Sequence, residues 1–73
     1  MNKYSKARKY ALQTLMLNEN TDMSYKDIAK RIAFKDNAIV EFSLDDKEHA
    51  KAFLLTWADR KQFKDRNKNG IHL

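Results

Sequence analysis

The chain has no cysteine, no proline and a single glycine, Gly70, among its 73 residues. Without cysteine, neither a disulfide framework nor a thiolate metal site can form. The same absence fits a reducing compartment. Without proline or an interior glycine, nothing in the chain punctuates a long helix, so helices joined by short polar turns are the default expectation. No apolar run approaches the roughly 20 residues that span a bilayer. The opening residues, Met1 to Lys6, are charged but lack the apolar stretch of a signal peptide. A cytoplasmic protein without membrane association is therefore expected.

Catalytic equipment is equally scarce. No glycine-rich loop is present to cradle a phosphate, and no nucleophile has a base at a recognisable spacing. The two histidines are His49 and His72. Asp45, Asp46, Glu48 and His49 lie close in sequence, but acids at a helix N-terminus are favoured by the helix dipole alone. We expect no enzyme activity, no cofactor and no metal site. A single domain spanning residues 1–73 buries only about 60% of its unfolded surface, and small cores commonly gain help from association. A homodimer is expected on that ground.

What the chain does have is charge. Its net charge is +5, and the distribution is uneven. The basic residues Lys3, Lys6, Arg8 and Lys9 stand near the start, and Arg60, Lys61, Lys64, Arg66 and Lys68 near the end. Between them Glu41, Asp45, Asp46 and Glu48 form an acidic middle. Basic ends of this kind attract phosphate backbones or an acidic protein face.

Hydrophobic spacing places four elements. Ala7, Ala11, Leu12, Leu15 and Met16, with Tyr4 leading in, recur at helical intervals and predict a helix from about Lys3 to Asn18. Ser24 can cap a second helix, with Asp27 three residues on and Met23 and Ile28 spaced as a hydrophobic staple. Tyr25, Ile28, Ala29 and Ile32 form its buried stripe, which should stop near Phe34. Over residues 38–44, Val40, Phe42 and Leu44 alternate with Glu41 and Ser43, the period of a strand. A short helix started by Asp36 or Asn37 is the competing reading. The last helix, from about Asp46 to Arg66, is capped by Asp45 with Glu48 three residues later. It buries Ala50, Phe53, Leu54, Trp57 and Ala58, and Asn69-Gly70 ends it. The predicted class is α+β, mostly helical: two N-terminal helices, a short strand or short helix near residues 38–44, and a long C-terminal helix. A lone strand must pair with something, which again points to a second copy.

The stretch from Asp27 to Phe42 resembles a helix-turn-helix. Small Ala29 sits where its two helices would meet, and Ile28, Ile32, Phe34 and Ile39 match its buried positions. Ala33 stands where that family usually has a turn glycine, and the second helix would carry Asp36 and Glu41. The resemblance implies DNA contact, with Asn37 as the best base reader. Residues 38–42 followed by 45–50 look like the third strand and second helix of an RNA-recognition-type domain, without the basic and aromatic positions that bind RNA. That likeness supports a strand–helix unit only.

Two functions follow. The first is a small nucleic-acid-binding regulator, DNA more than RNA, contacting phosphates through Lys3, Lys6, Arg8, Lys9, Lys30, Arg31, Lys35, Arg60, Lys61, Lys64, Arg66 and Lys68, with Asn37 added by the helix-turn-helix resemblance. The second is a protein-binding modulator or inhibitor, of the kind a phage or mobile element encodes, that docks through its C-terminal helix or its strand. Leu55, Trp57 and Phe63 would make the contact there.

Overall fold

Three helices form, and each boundary has a local chemical cause. The structure, a computed structural model, describes residues 2–70, with side chains described through Gln62. Helix α1 spans Lys3–Thr14. Asn2 caps it, its side chain accepting from the Ser5 N–H at 2.8 Å. The helix ends four residues before the sequence suggested, because the chain reverses at Met16. There φ is 60°, the Leu17 N–H donates to the Leu12 carbonyl (2.8 Å), and the Met16 N–H donates to that of Gln13 (2.9 Å). This pair of bonds is a Schellman closure, built on a methionine where glycine is usual.

Helix α2 spans Tyr25–Lys35. Ser24 caps it as expected, accepting from the Asp27 N–H at 3.2 Å. Met23, just before the cap, packs against the core in the manner of a staple. A second Schellman closure ends α2: Ala38 N–H to the Ala33 carbonyl at 2.9 Å, Asn37 N–H to that of Phe34 at 3.2 Å, and Asn37 at φ 52°. Asparagine tolerates that left-handed conformation better than most residues.

Residues 38–46 form neither the expected strand nor a helix; they run as turns and bends. The architecture is all helical among the described residues, not α+β. The alternation of Val40, Phe42 and Leu44 finds no partner strand, and without one an extended segment cannot satisfy its backbone. Only Leu44 among the three reaches the core. With no strand among residues 38–46, strand pairing gives no ground for a homodimer. The helix-turn-helix reading also loses its second helix, since no helix starts between Asp36 and Asp46.

Helix α3 spans Lys47–Gly70. Its cap is Asp46, not Asp45: the Asp46 carboxylate accepts from the N–H groups of Glu48 (2.9 Å) and His49 (3.2 Å). Asp45 turns instead to Lys30 on α2.

Helix α3 is the centre of the fold, packing on both α1 and α2 more extensively than these pack on each other. The buried set is Ala7, Ala11 and Leu12 from α1, Ile28, Ala29 and Ile32 from α2, and Ala50, Leu54, Trp57 and Ala58 from α3. Half of these ten are alanines, which lets the helix axes approach closely. The large side chains Leu12, Ile28, Ile32 and Leu54 are fully enclosed, each stabilising by about 1.5–3 kcal/mol.

Candidate docking surfaces

The segment after α2 fails as a strand but builds a wall. Ala38, Ile39, Val40, Glu41 and Phe42 line one side of an open groove of about 910 Å3. The opposite side is one face of α3, where Ala52, Phe53, Thr56, Trp57, Arg60 and Lys61 recur at three- and four-residue spacing. Asp36 closes one end. Its carboxylate accepts from the Trp57 indole N–H at 2.8 Å and lies 3.5 Å from the Lys61 ammonium. This contact ties the C-terminus of α2 to the middle of α3 and fixes where the wall begins. At the other end the Phe42 ring rests 5.0 Å from that of His49, and His49 Nδ1 lies 3.3 Å from the Ser43 carbonyl oxygen. Ile39 is 94% exposed and Phe42 42% exposed above the groove.

A second, shallower concavity of about 550 Å3 lies where the ends of α1 and α2 meet. Leu15, Lys30, Arg31, Phe34 and Lys35 line it. Phe34 is 89% exposed. Met16, next in sequence to Leu15, is 90% exposed. Lys30 forms an ion pair with Asp45. The shared hydrogen bond, and then the charge of each partner, raises the Lys30 pKa and lowers that of Asp45.

The basic residues expected to meet phosphate are divided by the fold. Arg8 is a clamp for the α1–α2 connection: its guanidinium donates to the carbonyls of Thr21 (2.6 Å), Met23 (3.4 Å) and Glu19 (3.5 Å). Lys9 pairs with Glu19 at 3.4 Å, Lys30 with Asp45 and Lys61 with Asp36. Lys3 stands over the Tyr4 ring at 5.5 Å. Lys6, Arg31, Lys35 and Arg60 make no ion pair among the described residues. Asn37 serves as the left-handed residue closing α2. Lys64, Arg66, Lys68 and Phe63 lie outside the described side chains.

Of the expected protein contacts, Leu55 is half-buried against the core, and Trp57 is a core residue whose edge reaches the groove. The Tyr10 ring packs 5.2 Å from that of Trp57. Sequence reasoning placed Phe34, Ile39 and Met16 inside; all three stand outside. For Phe34 a signal was present, since two residues beyond Ile32 is the far side of a helix whose buried stripe is Ile28, Ala29 and Ile32. For Ile39 none was, because its exposure follows from the path of an irregular segment.

Among the described residues no group of three or more histidine, aspartate or glutamate side chains is arranged to hold a metal ion, and no helix is long and apolar enough to cross a membrane. Comparison with protein-family models, with curated proteins and with solved structures finds no match.

Proposed function

We propose that this chain is a small modulator that docks on a larger protein through the groove between residues 38–42 and α3. One observation carries the reading: a groove walled by Ile39, Val40 and Phe42 leaves Ile39 94% exposed, with no return to the chain's own core. A contiguous exposed apolar surface in a concavity, rimmed by polar residues, is the usual mark of an interaction site. The groove joins the two elements that the sequence suggested for docking, residues 38–44 and the last helix. Its apolar centre is bordered by charges of both signs, Glu41 and Asp36 with Arg60 and Lys61. An apolar core within a polar rim is the usual anatomy of a protein interface, and the acids there oppose a phosphate backbone. The occupant that fits is an apolar segment of a partner protein. On this reading the protein performs no catalysis and acts in the cytoplasm, where a cysteine-free chain is at home.

The test compares the wild-type chain with the double variant Ile39→Ser, Phe42→Ser. Both side chains are exposed, so folding should persist, as circular dichroism would verify. Affinity capture should recover a protein that is lost with the variant and that binds the purified wild-type chain directly. Anisotropy titrations with duplex DNA, single-stranded DNA and RNA should show weak binding. Each neutralised phosphate adds about −0.9 to the logarithmic salt slope on duplex DNA. A steep slope unchanged by the double variant, with no groove-dependent protein, would replace this reading by the nucleic-acid one.

A further inference from the structure

We infer that the concavity at the joined ends of α1 and α2 is a second docking point, specific for an acidic protein segment that carries an apolar side chain. The inference rests on the protein-docking reading but concerns a different surface. Three of the five lining residues are cations, Lys30, Arg31 and Lys35, and the other two are apolar, Leu15 and Phe34. No acid lines it. Asp45 reaches Lys30 alone, leaving Arg31 and Lys35 without an ion pair among the described residues. Lys35 also lies in the last turn of α2, where the helix dipole favours its charge and orders its backbone.

Of the two apolar lining residues, Leu15 packs partly against the core, and Phe34 makes no core contact. Phe34 is 89% exposed, on the side of α2 opposite Ile28 and Ile32. Met16, next in sequence to Leu15, is also exposed, in a backbone conformation that a methionine adopts at a cost. An exposed aromatic beside arginine is the composition of an interface anchor, and methionine adapts to varied apolar partners. Charge complementarity sets the sign of the partner: carboxylates to meet Arg31 and Lys35, and one apolar side chain to cover Phe34 and Leu15. Arginine can take a carboxylate through two parallel hydrogen bonds, so Arg31 supplies direction as well as charge. An oligonucleotide would supply negative charge too. Phe34 would then serve as a stacking platform, but the exposed edge of Leu15 would gain no apolar cover.

The experiment selects a random peptide library on the immobilised wild-type chain and measures each selected peptide against Phe34→Ser, Arg31→Glu and the groove variant Ile39→Ser. One class of peptides should be rich in Asp and Glu around a Phe, Leu or Trp. For that class Phe34→Ser should weaken binding roughly 30-fold, the effect of losing a hot-spot aromatic. Arg31→Glu should weaken it further as salt is lowered, and Ile39→Ser should leave it unchanged. Peptides lost only with Ile39→Ser would report on the groove, so the two surfaces stand or fall separately. Selection without acidic enrichment, indifference to Phe34→Ser, or displacement of the acidic peptides by a single-stranded oligonucleotide at lower concentration would each overturn the inference.

Discussion

Replacing Met16 with glycine should make the protein more stable, although it removes a large apolar side chain. Met16 holds φ at 60° to close α1. A residue with a Cβ pays about 1–2 kcal/mol in that conformation, because the Cβ crowds the following carbonyl. Glycine avoids the crowding but has more freedom to lose from the unfolded chain, which offsets about 0.5–1 kcal/mol. Lost packing adds almost nothing, since the side chain is 90% exposed. The difference is a gain of up to about 1.5 kcal/mol, centred at ~0.75 kcal/mol, or a rise in Tm of roughly 3–6 °C at that centre for a domain of this size. Thermal melts followed by far-ultraviolet circular dichroism would measure it. Met16→Ala is the necessary control: it removes the same exposed chain yet keeps the Cβ, so its stability should stay within about 0.5 kcal/mol of wild type. If the glycine variant proves no more stable than the alanine variant, the strain argument is wrong.

Two further outcomes follow from side-chain contacts. Asp36→Ala removes the acceptor of the Trp57 indole N–H and the partner of Lys61, and should destabilise by about 1–3 kcal/mol in urea unfolding. Asp36→Asn keeps an acceptor and should lose less, so equal midpoints for the wild type and both variants would refute the role given to this contact. The Lys30–Asp45 pair makes a pH prediction. The folded-state pKa of Asp45 is depressed, so its contribution is present above the unfolded carboxylate range and is lost as pH falls through the lowered value, below about 4. Both side chains are exposed, so the loss should be small, weakened by salt and absent in Asp45→Asn. An identical acid profile in that variant would remove the pair from the account.

The three helices were legible because each carries apolar residues at helical spacing; the Asn2 cap of α1 was not read from the sequence. Ser24 could be read directly. Asp45 and Asp46 could not be told apart, since adjacent aspartates present the same local signal and only the path of the chain sends one to the cap and the other to Lys30. The strand expectation failed for a physical reason. Alternation reports a surface with two unlike faces, and residues 38–42 do lie along a groove, but pairing requires a second strand that local sequence does not reveal. The Asp36–Trp57 contact joins residues far apart in the chain, beyond any periodicity. The basic residues were visible as charge, yet their separation into clamps, ion pairs and exposed cations depends on where the loops pass.

The alanine-rich core has a consequence for finding a partner. Enlarging any of Ala7, Ala11, Ala29, Ala50 or Ala58 would force the helices apart, at about 1–3 kcal/mol each. These positions offer the chain little room to gain stability from within. Whatever binds the folded form adds its own free energy to that modest total, about 2.7 kcal/mol when the ligand is present at about 100 times its Kd. A rise in melting temperature is then a sensitive detector: candidate partners can be ranked by how far they delay unfolding, before any of their contacts is known.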